Sequence, residues 1–307
     1  MRNEIKRVLS EISTLSHGEV LNYFRKALKN SGFKVYGEDY IHGIRSYKSG
    51  SVALFFTYVP EEFKIEGELV RGEGVCFNGS IAAFIAILSH NSPQNIEVII
   101  SDVSDRRLPE IESNSALVVY PTELKVANEQ PALERLKIEI STAGGSSAYP
   151  GQGISSLYRA IDVTERLRLL DIEVVSLVAK HKYSSLPSKA EIILDIWRRE
   201  IGEMKKKVYR ALAGLDCKFD VIESVDSFYL NEDEAVVTKL KKALGKYGKV
   251  DIVEIKGSVT LGNLNSKGVK AVAFGPGKAE MNLSKGEKVG INELVDFGNI
   301  LREFLRS

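Results

Sequence analysis

Residues 51–60, SVALFFTYVP, constrain the fold more than any other stretch: apolar and β-branched side chains run on without alternation and stop at a proline. A strand buried on one face alternates apolar with polar, so an unbroken run reads as a central strand covered on both faces. Helices must then lie on either side of a largely parallel sheet, and function tends to collect where such strands end. Residues 68–88, ELVRGEGVCFNGSIAAFIAIL, follow with a Gly-rich turn and a small-residue apolar helix expected to start near Gly79. Two more buried strands are read at residues 96–107 and 116–123. Residues 269–294 add a strand, the turn Gly275-Pro276-Gly277 and the start of a final helix.

Between these α/β segments the periodicity changes. Residues 132–226 read strand, helix, strand, strand, helix, strand (RLKIEIST, SSLYRAIDVTERLRLL, IEVVSLVAK, KAEIILDIW, EMKKKVYRALAGL, KFDVIES). That is the order of a ferredoxin-like βαββαβ unit. The expected fold class is therefore α/β, with a discontinuous sheet domain at residues 1–130 and 227–307 and an inserted ferredoxin-like unit at residues 131–226.

The composition narrows the partners. With 42 basic and 41 acidic residues among 307 the net charge is +1, which predicts neither a nucleic-acid nor a membrane partner. No apolar run reaches spanning length, and the first residues, MRNEIKRVLSEIS, carry helical spacing (Ile5, Val8, Leu9, Ile12) instead of a leader pattern. A cytoplasmic location is expected. The two cysteines, Cys76 and Cys217, fall in different expected domains, which speaks against a disulfide.

The order of motifs resembles the zinc aminoacylase and carboxypeptidase family, which includes acetylornithine deacetylase, succinyl-diaminopimelate desuccinylase and an archaeal hydrolase releasing lysine or ornithine from an amino-group carrier protein. Val59-Pro60, Gly79, Pro121-Thr122, Gly275-Pro276-Gly277 and Glu287 stand where that family's patterns place the same residues. The resemblance implies a zinc-exopeptidase-like sheet domain whose inserted unit serves as lid and dimer surface. It further implies that residue 55 is a metal-binding His, residue 57 its orienting Asp, residue 76 the bridging Asp, residue 105 the general base, and residues 106, 120 and 283 further ligands.

Each of those positions departs from the pattern. They hold Phe55, Thr57, Cys76, Asp105, Arg106, Tyr120 and Leu283, and none of His17, His42, His90 and His181 falls in a motif. A hydrolytic zinc site takes about three protein ligands from His, Cys and carboxylate, with a water in the open position. Cys76 alone among the five ligand positions is an ordinary zinc donor. Without metal, facing carboxylates would repel by roughly 4 kcal/mol per pair at about 4 Å, so losing one ligand favours losing the rest. The expectation is a plugged site: Phe55, Tyr120 and Leu283 supplying apolar bulk, and Arg106 the positive charge once given to Asp102 or Asp105.

The lid and substrate positions have drifted too. The family's His that reaches a partner's site is Tyr149, the Arg of its D-I-R strand is Trp197, here read as a strand residue packed on a lid helix, and its G-T-S-D-x-N loop runs through Thr260 without the Asp or Asn. Three readings follow. The first is a non-catalytic binding, regulatory or partner subunit, dimeric through the lid, with no cofactor and a small amino-acid-like ligand. The second is a metal-dependent amidohydrolase of lysine, ornithine or arginine biosynthesis using zinc or cobalt. The third is chemistry at the Cys76 thiol, for which no neighbouring His base is evident in the sequence.

Overall fold

The computed structural model describes residues 1–45, 51–89, 93–103, 108–149, 151–172, 174–248 and 250–306. His90, Asp105 and Arg106 lie outside the described residues. The chain divides into two compact units, one of Met1–Gln130 with Phe228–Ser307 and one of Pro131–Ser227.

In the first unit the chain runs α1 (Arg2–Ile12), α2 (His17–Asn30), β1 (Lys34–Tyr36), β2 (Ile41–Arg45), β3 (Val52–Tyr58), β4 (Phe63–Glu66), β5 (Leu69–Gly72), α3 (Val75–Leu88), β6 (Ile96–Asp102), β7 (Ser115–Val118) and β8 (Val126–Gln130). The second unit holds β9 (Ala132–Ser141), β10 (Gly145–Ser146), α4 (Ser156–Arg168), β11 (Val174–Ala179), β12 (Ser185–Leu186), β13 (Lys189–Arg198), α5 (Ile201–Ala211) and β14 (Cys217–Val225). The first unit then resumes with β15 (Phe228–Tyr229), α6 (Ala235–Leu244), β16 (Ile252–Glu254), α7 (Val259–Ser266), β17 (Lys270–Ala273), β18 (Lys288–Gly290) and α8 (Ile291–Arg306). Among the described residues no helix is long and apolar enough to cross a membrane.

Among the described residues the main sheet of the first unit has nine strands, ordered β1-β2-β6-β3-β7-β17-β8-β15 with β16 beside β8. Its centre is parallel: β3 pairs in parallel with β6 and β7, and β17 with β7. The unbroken apolar run of β3 is explained by two cores. Leu54, Phe56 and Tyr58 pack into the larger one, with α1, α3 and α8, while Ala53 and Phe55 pack into a smaller one with Val118, Tyr120, Ile255 and Leu261. Every residue of α3 is buried. The N-terminus of α2 is fixed by a capping box between Ser16 and Glu19.

In the second unit the sheet order is β11-β13-β9-β14, all antiparallel, the ferredoxin-like order. Ile138, Ile140, Ile192, Leu194 and Ile196 pack with Ala160, Val163 and Leu167 of α4 and Val208 of α5. Period two sends the intervening residues Arg135, Lys137, Glu139, Glu191, Asp195 and Trp197 to the other face. Trp197 therefore turns away from the lid helices against which the sequence reading sets it. Its neighbour Ile196 takes the buried place, at 2% exposure.

Candidate functional site

Parallel strands β3, β6, β7 and β17 all finish on one edge of the main sheet, and the side chains just past those ends make the candidate site. The end of β3 is pinned by Asn78, which is fully buried: its Nδ2 donates to Val59 O at 2.9 Å and its Oδ1 accepts from Val59 N at 3.0 Å. The helix carrying Asn78 begins at Val75, one turn before the expected Gly79, because a distant carboxylate supplies its cap. Glu287, 1% exposed, accepts from Gly74 N at 2.9 Å, Cys76 N at 2.8 Å and Leu283 N at 2.8 Å. A carboxylate there meets both the unpaired N–H groups and the positive end of the helix.

Cys76 thus stands in the first turn of α3, 1% exposed, with its thiol pushed well up by burial and then by the Glu287 charge. A Cβ added to Gly277 would fall 2.0 Å from Cys76 Sγ, and Gly277 has φ +84°, so only glycine lets the Gly-Pro-Gly turn close over the sulfur. Gly275 also makes a close approach, its would-be Cβ 2.5 Å from Tyr120 O. Tyr120, 8% exposed, donates its hydroxyl to Lys256 O at 3.0 Å and sets its ring edge-on to Phe77 at 5.9 Å. Burial raises its phenol. Phe55 lies in the same apolar cluster, with Phe77, Val118 and Tyr120.

Leu283 does not. It is 38% exposed with φ +56°, so the expected apolar plug at that position is absent. The reason is local: its N–H is drawn to Glu287 Oε2, which holds the backbone in a left-handed turn. What remains is a small polar cavity of about 150 Å³, walled by Thr57, Ser101, Asp102, Tyr120, Thr260 and Asn282 among others. Thr260 sits in the first turn of α7, a helix where the sequence reading expects a loop. A second cavity of about 350 Å³ is lined by Asp102, Val103 and Leu283 as well, together with His17, Glu61 and Glu73. His17, from the first turn of α2, stacks on Tyr58 at 5.5 Å and brings Nδ1 to 3.7 Å from Asp102 Oδ2. A histidine does therefore reach the strand ends, with Asp102 and Tyr58 as its neighbours. His17 belongs to no motif, and Asn78, though inside the Gly-rich turn between Cys76 and Gly79, carries no signal of its bond to Val59; only the fold assembles them.

Tyr149 and Trp197 belong to the second unit. Tyr149 is 62% exposed and donates its N–H to Ser146 O at 3.1 Å. Trp197 sits on the face of its sheet opposite the helices, half-buried, on the same side as Asp195. Asp105 and Arg106, the expected base and its neighbouring ligand position, lie outside the described residues.

No family model matches the sequence, and no curated protein matches it. Solved structures do match. A tripeptidase from Staphylococcus aureus superposes over 100% of this chain and 98% of its own with a TM-score of 0.76 at 11% identity. A di-peptidase from Saccharomyces cerevisiae gives 0.74 over 99% of this chain and 97% of its own at 12% identity. An M20 family metallo-carboxypeptidase from Sulfolobus solfataricus gives 0.69 over 100% and 99% at 12%. The chain has the M20 metallopeptidase fold.

The M20 fold implies zinc, so the donor set needs testing against it. Among the described residues no group of three or more His, Cys, Asp and Glu side chains is placed to hold a metal ion. Cys76 is the one conventional donor at a described ligand position, and its sulfur is wedged under Gly277 with its proton held on. Tyr120 directs its hydroxyl to a backbone carbonyl, and Phe55 offers no lone pair. The described residues do not fit the metal that the M20 fold implies.

Proposed function

We propose that this protein is a non-catalytic variant of the M20 hydrolase scaffold, a binding, regulatory or partner subunit whose first-unit cavity takes a small polar, amino-acid-like ligand. The observation that carries the reading is the use made of the old metal positions. At two of those positions Cys76 is sealed under Gly277 and Tyr120 is bonded to Lys256 O, and beside them Glu287, which matches the family pattern, accepts from three backbone amides. Each group is committed to holding the protein together, which leaves none of them to hold a metal-bound water. The hydroxyl-rich lining of the cavity supports a polar occupant.

The chain also pairs through its second unit in this reading, with a second copy or with a catalytically complete relative. Strand β11 is an edge of its sheet, and Leu157, Tyr158 and Ile161 of α4 with Val175 of β11 form exposed apolar surface beside it. Such surface on a folded protein marks an interaction site.

The competing reading, a zinc- or cobalt-dependent amidohydrolase of lysine, ornithine or arginine biosynthesis, draws on the peptidases and amidases among the structural neighbours. Metal analysis of the purified chain together with hydrolysis of N-acyl-lysine and N-acyl-ornithine, zinc or cobalt added, separates the two. Substoichiometric metal and no turnover are expected. Two bound ions per chain with turnover would replace the proposal by the competing reading. A nucleophilic Cys76 is opposed by its burial and its raised thiol.

A further inference from the structure

The face of the second unit's sheet turned away from its helices carries a lattice of charge, and most of it is neutralised within itself. Arg135 bridges Asp195 at 2.6 Å and Glu223 at 2.9 Å, while Lys137 holds Glu139 at 2.8 Å and lies 3.9 Å from Glu191 and 4.0 Å from Asp220. At one end of the sheet the balance changes. There the last residue of β9, the first of β13, the start of β14 and the residue after β11 come together around a groove of about 470 Å³. Its wall carries Lys180, Lys189 and Lys218, which form no ion pair among the described residues. The two carboxylates on the same wall, Glu139 and Glu191, both have Lys137 as partner. The Glu139 carboxyl is held below the ordinary range first by its hydrogen bond from Lys137 and, further out, by the charges of Lys218 and Lys189.

We infer that this groove binds a small organic or inorganic anion carrying two or more carboxylate or phosphate groups. Three ammonium groups delivered by three different segments repel one another, and a compact multivalent anion between them removes that repulsion while accepting several charge-assisted hydrogen bonds. The Ser141 hydroxyl on the same wall adds a neutral donor. Compactness follows from the surroundings: an extended acidic chain laid along the sheet would run past the groove onto Asp220, Asp195 and Glu223, whereas a small anion meets the three lysines and only the two carboxylates, Glu139 and Glu191, that Lys137 already partners. The groove has the size of an ordinary small-molecule site. It owes nothing to the strand ends of the first unit, so it stands or falls separately from the proposed loss of catalysis.

The test is calorimetric titration of the full chain with pyrophosphate and with citrate at low salt, beside a short polyglutamate peptide. Saturable binding of at least one small anion is expected, weakening as salt rises, and at least tenfold weaker in the Lys189→Gln, Lys218→Gln double variant. Lys207→Gln, on the helical side of the same unit, keeps full affinity and so reports that the loss is local. Circular dichroism of each variant checks that it is folded. No saturable binding of either anion, affinity unchanged in the double variant, or binding of polyglutamate alone would each overturn the inference.

Discussion

The two units handle buried space in opposite ways. In the first, a sheet covered on both sides has no open face, so its polar chemistry is forced to the strand ends, where Cys76, Tyr120 and Glu287 are tied into the interior. In the second, a single layer of helices packs on one face of a four-stranded sheet, and on the other face charge accumulates in pairs and, at one end, in excess. The difference teaches where change is tolerated. A substitution at the strand ends of the first unit strikes the packing of that unit, whereas one on the surface of the second alters what the protein can meet and little else.

Three substitutions can break that comparison. The largest effect belongs to Glu287→Ala, which strips partners from the N–H groups of Gly74, Cys76 and Leu283 at once. A loss of at least about 3 kcal/mol is expected in urea unfolding, and a loss under about 1 kcal/mol would deny Glu287 its role as the cap of α3. Next comes Gly277→Ala, which drives a methyl into Cys76 Sγ in a left-handed backbone. It should cost about 2 kcal/mol, and adding Cys76→Ala should restore about half, since the clash goes and the backbone strain stays. Purely additive losses in the double variant would show that the sulfur and the turn are not coupled. The smallest effect on stability is expected for Tyr158→Lys, a residue 69% exposed on α4. Its unfolding should stay within about 0.5 kcal/mol of the parent, while light scattering reports a dimer for the parent and a monomer for the variant. A parent that is monomeric at micromolar concentrations would remove the pairing proposal.

The fold class is legible in the sequence because it rests on short-range patterns. The unbroken run in β3 announces two covering layers, and the period-two strands of the second unit announce a single one. The site is legible in its residue types and much less in its geometry. Phe55 and Tyr120 sit in apolar surroundings as their chemistry suggests, but Leu283 is exposed because a hydrogen bond to Glu287 sets its backbone. The start of α3 escapes the sequence for the same reason, since its cap is a carboxylate 211 positions away from Cys76. The approach of His17 to Asp102 likewise joins segments with no local signal between them. Long-range polar contacts of this kind leave no periodicity in the sequence, and they are what shape the strand ends.

Glu287 also fixes an order of events for the chain as it is made. Strand β17 lies between β7 and β8, and the carboxylate that starts α3 comes later still, so the larger unit lacks both a middle strand and a helix cap until residue 287 has emerged. The inserted unit, continuous from Pro131 to Ser227, has all of its strands well before then. Contacts between distant segments form slowly. The first 130 residues, with the very apolar α3 among them, must therefore wait uncapped for their partners during synthesis, which makes nascent-chain aggregation the chief hazard of this topology.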